Sequence, residues 1–285
     1  MNTFKNYLSL VKFSHTIFAM PFAIIGYFLA LHLTNETFSW ILFGKIILCM
    51  VFARNAAMGF NRYVDRHIDA KNPRTADRDI PAGHIRENSA LLFVSANALL
   101  FMATTYFINP LTFFLSPIAL LVILGYSITK NFTALCHLIL GLGLSLAPIG
   151  AYLSVTGEFA LIPVLFSFVV LFWVSGFDII YALQDEAFDK QEKLFSIPAY
   201  LGKKGALQFS SVLHFMAAVL VVIIGMLLHV HLLYWFGAAL FGGLLTYQHS
   251  LVSPVDLSRV NLAFFSTNGI ASIAYAMITI LSLFL

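Results

Sequence analysis

Residues 40–69 read WILFGKIILCMVFARNAAMGFNRYVDRHID. From Trp40 to about residue 63 the stretch is apolar and long enough to cross a hydrocarbon core, which takes about 20 helical residues. Its end changes character, because Asn61, Asp65 and Asp69 fall at four-residue steps. Four residues turn an α-helix through about 400°, so these side chains drift by about 40° per step and stay on one stripe. A carboxylate in or beside a bilayer core is costly and faces a bundle interior or a cavity rather than lipid. A second stretch echoes the first: DIIYALQDEAFD at 178–189 carries Asp178, Tyr181, Asp185 and Asp189 at the end of another apolar run. Either motif alone also occurs on solvated helix ends. Two at equivalent membrane depth point to function. Oxygen ligands along one helix face suit a hard cation such as Mg²⁺, which in turn suits a diphosphate.

The rest of the chain is hydrocarbon. Hydrophobic residues are 60% of the 285, charged residues 10%, and the mean hydropathy is +0.89. Soluble domains are only about half apolar. With no long polar tract, residues 1–285 read as a single membrane-embedded domain. A net charge of +3 is too small to imply nucleic acid, and nothing signals an obligate protein partner. Cys49 and Cys136 lie within apolar runs and read as buried free thiols rather than a disulfide or metal pair. The weakly amphipathic start, NTFKNYLSLVKFSH, lacks a cleavage pattern, so residues 1–14 read as an interfacial helix lying against the headgroups.

Nine segments reach membrane-spanning length: about 16–33, 40–63, 90–108, 111–129, 133–153, 160–184, 205–229, 231–250 and 260–284. The fold class is therefore all-α, a polytopic integral membrane bundle of about nine transmembrane helices. Gly141, Gly143, Pro148 and Gly150 predict a bend in the fifth. Glu36 and Glu158 fall on one side of this topology. Lys5, Lys12, Arg62 through Arg86, Lys130, Lys190 through Lys204 and Arg259 crowd the other. The positive-inside rule makes the basic side, with the N-terminus, cytoplasmic. Lys45, near the outer end of the second helix, snorkels outward. Both acidic motifs then sit at cytoplasmic helix ends, an even number of crossings apart, and line one cavity. Segments 64–89 and 185–204 are cytoplasmic loops over it.

Basic residues surround the motifs. Arg54 lies seven residues before Asn61 on the same stripe, roughly 10 Å deeper. An anion-binding role in the cavity is preferred to an intrahelical pair with a carboxylate. Lys130 ends the fourth helix beside Tyr126, Lys193 follows the second motif, and Arg74 and Arg78 follow the first. Lys130 and Lys193 contact phosphate or anchor the helix ends at the membrane surface; Lys203 and Lys204 are anchors.

In RNAAMGFNRYVDRHIDAKNPRTADRDIPAG at 54–83, GYSITKNF at 125–132 and DIIYALQDEAFDKQEKLFSIPAYLG at 178–202, the chain resembles the UbiA superfamily of intramembrane aromatic prenyltransferases. The resemblance extends over all nine predicted helices. It is greatest to the 4-hydroxybenzoate polyprenyltransferases and the menaquinone prenyltransferases of the futalosine route. It implies that Asn61, Asp65, Asp69, Asp185 and Asp189 hold Mg²⁺ and, through it, a polyprenyl diphosphate, with the four aspartates catalytic. Arg54 falls on the arginine that meets the carboxylate of an aromatic acid acceptor. Tyr126, Lys130 and Tyr181 fall on cavity-lining positions, and Asp178 and Lys193 join them in the expected substrate-binding set. One departure matters: many members carry Asp directly after the motif's Asn, where this chain has Arg62.

The expected activity is Mg²⁺-dependent polyprenyl transfer to a 4-hydroxybenzoate-like or 1,4-dihydroxy-6-naphthoate-like acceptor in ubiquinone or menaquinone biosynthesis. The expected place is the inner membrane, in contact with lipid, with the active site facing the cytoplasm. Two rivals stand beside it. One is prenyl transfer to haem, a chlorophyllide or a glycerol-phosphate lipid. The other is a cation-coupled transporter, which would more often break helices at the midplane and spread charge through the bundle.

Overall fold

Apolar sequence of membrane length leaves the backbone no partner but itself, and helices are the open-chain solution. The computed structural model describes residues 7, 9, 10 and 18–285, and among these there is no strand. The interfacial helix expected over 1–14, with Lys5 and Lys12, falls largely outside the described residues. The long helices run α1 (Met20–Thr34), α2 (Trp40–Asp69), α3 (Glu87–Tyr106), α4 (Pro110–Thr129), α5 (Cys136–Thr156) and α6 (Leu161–Ala182). After a 3₁₀ turn (Leu183–Asp185) come short α7 (Glu186–Gln191), then α8 (Ile197–Leu228) and α9 (Leu232–Ser250). A π-helical stretch (Leu262–Thr267) leads into α10 (Asn268–Leu283).

Each of the nine apolar segments carries a helix. Among the described residues, seven spans are long and apolar enough to cross a membrane. They are α2, α3, α4, α5, α6 continued through α7, α8, and the π-helix with α10. α1 is apolar but has 15 residues. Polar residues fix the starts. Ser39 caps α2 through Leu42 N at 3.3 Å, and the Tyr27 hydroxyl donates to the Ser39 carbonyl at 3.1 Å. Asn109 caps α4 through Thr112 N at 2.9 Å, with Pro110 opening the helix. Lys45, near the start of α2, donates to the Phe107 carbonyl beyond the end of α3 at 2.5 Å.

Small residues let the helices meet. Membrane helices gain little from hydrophobicity among themselves, so close backbone packing carries their association. A Cβ on Gly26 of α1 would lie 2.1 Å from the Pro148 carbonyl oxygen of α5. One on Gly141 would lie 2.3 Å from Ser175 Oγ and 2.6 Å from the Leu171 carbonyl of α6. Pro148 and the glycines of the fifth segment lie within one uninterrupted α5, and Gly26 and Gly141 mark close approaches to it and from it. Trp173, Phe22, Phe166, Phe241 and Tyr275 fill the core, and Trp173 Nε1 donates to Asn268 Oδ1 at 3.0 Å.

Three boundaries differ from the sequence reading. α2 continues to Asp69, so the first motif is wholly helical and the connecting loop starts at Ala70. α6 stops at Ala182, which puts Asp185 in a 3₁₀ turn and Asp189 on α7. α8 begins at Ile197 rather than near 205, capped by Ser196, and Gly202 interrupts it at φ 68, ψ 171. That left-handed backbone favours glycine. Much of the expected loop 185–204 is therefore helical.

Candidate active site

The ends of α2 and α6 face each other across a cavity of about 310 Å³. Ten sequence-derived candidates line it: Arg54, Asn61, Asp65 and Asp69 from α2; Tyr126 and Lys130 from the end of α4; and Asp178, Tyr181, Asp185 and Asp189 from the second motif. Lys193 stands apart, exposed in the link after α7 with φ 57.

The carboxylates are shared out among basic partners. Asn61 Nδ2 donates to Asp65 Oδ2 at 3.1 Å, and Lys130 Nζ reaches the same oxygen at 2.7 Å. Arg78 Nη1 lies 2.6 and 2.7 Å from the two oxygens of Asp69. Arg74 forks onto Asp185, with Nε–Oδ1 at 3.0 Å and Nη2–Oδ2 at 2.5 Å, and its Nη1 donates to the Tyr181 hydroxyl at 3.2 Å. Asn72 Nδ2 adds a bond to Asp185 Oδ1 at 3.2 Å. The segment after α2 thus straps the first motif to the second with charge-assisted bonds. Burial works against the Arg74 charge, but the hydrogen bonds and charge of Asp185 outweigh it and hold the guanidinium above its ordinary range. Asp189 accepts from Ser196 Oγ at 2.7 Å, so the cap of α8 also fixes the last carboxylate.

Among the described residues, no three acidic, histidine or cysteine side chains converge on one point. The donor chemistry nonetheless fits a hard cation. All five candidate ligands offer oxygen, which Mg²⁺ selects. Asp65 Oδ1 is buried with no hydrogen-bond partner, an acceptor left for something else to satisfy.

Arg54 lies deeper. Its Nε and Nη2 are buried without a partner, and no carboxylate pairs with it among the described residues, which removes the intrahelical-pair reading. Burying a cation without an anion is expensive. Arg54 and Tyr126 also border a second cavity of about 350 Å³, lined mainly by apolar groups such as Phe101, Leu115, Ile123 and Leu144.

Sequence reasoning missed several cavity residues. His137, in the first turn of α5, contacts Asp178 Oδ2 through Nδ1 at 2.7 Å. A lone histidine at the head of an apolar helix was the available signal. Phe264 comes from the π-helix and stacks on Tyr181 with ring centroids 4.1 Å apart. A π-helix has no sequence signature, though such insertions often mark functional sites. Asn72 and Ser196 read as ordinary loop polars.

With the geometry in hand, a family model described as UbiA prenyltransferase family matches residues 19–270. The chain is 30% identical over 241 residues to a 4-hydroxybenzoate octaprenyltransferase of Nitrosomonas europaea, covering 84% of this chain and 81% of that protein. To the 4-hydroxybenzoate octaprenyltransferase of Tolumonas auensis it is 30% identical over 223 residues, 78% of each chain. The apo structure of a UbiA homolog from Aeropyrum pernix K1 superposes with a TM-score of 0.84 at 30% identity, covering 94% of this chain and 97% of that one. A UbiA homolog from Archaeoglobus fulgidus bound to GPP and Mg²⁺ shares the fold at a TM-score of 0.68 and 20% identity, over 96% and 99% of the two chains.

Proposed function

This chain belongs to the UbiA prenyltransferase family, and we propose that it transfers a polyprenyl group from polyprenyl diphosphate to the ring of an aromatic acid, with Mg²⁺. The observation that carries the acceptor is Arg54, whose buried Nε and Nη2 have no partner, at the junction of a polar and an apolar cavity. The relatives named for 4-hydroxybenzoate support an acceptor of that kind, with 1,4-dihydroxy-6-naphthoate as the nearest variant. Collection of the acids at one end of the bundle speaks against a transporter, and the unpaired Arg54 speaks against acceptors that lack an acid group.

Asn61, Asp65, Asp69, Asp185 and Asp189 would hold Mg²⁺, which when bound neutralises the charge of the diphosphate. Lys130, Arg74 and Arg78 already stand at the motif carboxylates, in position to meet phosphate oxygens as negative charge develops on the leaving group. Aromatic side chains lining the cavity, Tyr126, Tyr181 and Phe264 among them, would stabilise the allylic cation left behind, by about 2 kcal/mol for a desolvated cation. Apolar walls keep water from quenching it. Arg54 anchors the acceptor carboxylate, so that the ring rather than the acid group meets the cation. The second, apolar cavity takes the prenyl chain. In this reading the whole chain is one catalytic domain of the inner membrane, with its N-terminus and site on the cytoplasmic side.

A bidentate Arg–carboxylate pair has a planar fork that lysine does not reproduce. Arg54→Lys is therefore expected to raise the acceptor KM about tenfold or more, since a charge-assisted bond contributes about 1.5–3 kcal/mol. The KM for prenyl diphosphate should move much less. Equal changes in both would assign Arg54 to the diphosphate or to the fold.

A further inference from the structure

We infer that Asp178, held in place by His137, is the base that takes the proton from the acceptor ring once the new carbon–carbon bond has formed. This rests on the prenyl-transfer reading above. Asp178 differs in kind from the other acids of the cavity. Asp65, Asp69 and Asp185 pair with Lys130, Arg78 and Arg74, and Asp189 accepts from a serine. Asp178 is bonded to an imidazole, His137 Nδ1, at 2.7 Å. It also lies deeper. Asp178 precedes Asp185 by seven residues on the second motif, just as Arg54 precedes Asn61 by seven on the first. At 1.5 Å per helical residue Asp178 is roughly 10 Å further in than Asp185, below the layer of diphosphate chemistry, and it lines the same cavity as Arg54.

The pair is layered toward the cavity. The Asp178 side chain is 21% exposed and that of His137 6%, so the carboxylate faces the cavity and the imidazole backs it. His137 uses Asp178 Oδ2, which leaves Oδ1 for a substrate. The Nε2 of the imidazole is buried without a hydrogen-bond partner. Its backbone is pinned as well, since Ser175 Oγ donates to the His137 carbonyl at 3.1 Å and ties α5 to α6 at this level.

The chemistry requires such a group. A π electron pair of the ring bonds to the allylic carbon, while the pair of the broken C–O bond leaves with diphosphate. The attacked ring carbon still carries its hydrogen. Asp178 Oδ1 accepts that hydrogen as a proton, and the C–H pair returns to the ring and restores aromaticity. The proton leaves Asp178 for water on product release. Asp178 is the catalytic residue of this step and His137 its positioning residue.

The test uses the full chain in liposomes, with protiated and ring-deuterated 4-hydroxybenzoate as paired acceptors. In the wild type, ionisation precedes proton loss and the ring isotope effect should be near unity. Asp178→Asn should lower kcat by about 10²–10⁴, the range of a lost general base, and expose a clear primary isotope effect. Prenyl diphosphate should still bind with unchanged affinity, which certifies the fold, and should drain slowly to prenyl alcohol. His137→Gln keeps a donor for Asp178 and should retain most activity, whereas His137→Leu should follow Asp178→Asn in both rate and isotope effect. An Asp178→Asn enzyme that is fast, or slow with an isotope effect near unity, overturns the proposal alone. A wild type that prenylates no aromatic acid overturns the functional reading beneath it as well.

Discussion

Asp65 and Asp185 each have a basic side chain in hydrogen-bond contact, Lys130 and Arg74, in an arrangement where a metal ion and a diphosphate would redistribute the charges. On the proposed function, removing either carboxylate deletes a metal ligand, and it leaves half-buried Lys130 or exposed Arg74 without its partner. Asp65→Ala and Asp185→Ala are each expected to lose most prenyl transfer while the protein remains folded. The double substitution should be little worse than either single one, because oxygens sharing an ion act as a unit. Excess EDTA should abolish turnover in the wild type, and Mg²⁺ or Mn²⁺ should restore it. Full turnover in EDTA would remove the metal from the account. The alignment of Asn61, Asp65 and Asp69 was legible in the sequence because helical spacing alone puts them on one stripe. Their ion pairs were not. Arg74 and Arg78 lie in a loop whose path over the cavity no periodicity encodes, and the partner of Asp178 is 41 residues away on another helix.

At the scale of the element, packing is set by a few positions without side chains. Gly26→Val would force a branched side chain against the backbone of α5, where even a Cβ meets the Pro148 carbonyl at 2.1 Å. Overpacking of this kind costs about 1–3 kcal/mol, and the melting temperature in detergent should fall by several degrees. Gly44 provides the control: a Cβ there meets nothing within 4 Å, so Gly44→Ala should melt at or slightly above the wild type. A Gly26→Val protein as stable as the wild type would contradict the close approach of α1 and α5. The helices themselves were legible from apolar runs, but their ends were less so. Hydropathy falls at Asp65 and Asp69 although the helix continues, because those charges face a cavity. It stays ambiguous near Pro198, where a capped helix start looks like loop sequence. The helical stripe of the second motif was read as continuous, and the 3₁₀ turn at Leu183–Asp185 breaks it.

The whole molecule brings two motifs, far apart in sequence, to one cavity by running α2 and α6 in the same direction. Glu36 and Glu158, both exposed, fall in the links before these helices, at the opposite end from the motifs. Cysteines at Glu36 and Glu158 should therefore label from outside the cell, while cysteines at Lys71 and Lys203 should not. External labelling at Lys71 would invert the orientation. The central claim is that this cavity joins a prenyl diphosphate to an aromatic acid. The purified protein in liposomes, given Mg²⁺ and labelled polyprenyl diphosphate, tests it when either 4-hydroxybenzoate or 1,4-dihydroxy-6-naphthoate is supplied. The account predicts a labelled lipid carrying the ring of one of these acids, absent without the acid and absent in Asp185→Ala. Labelled prenyl alcohol alone, or a product formed only with an acceptor that lacks a carboxylate, would contradict it.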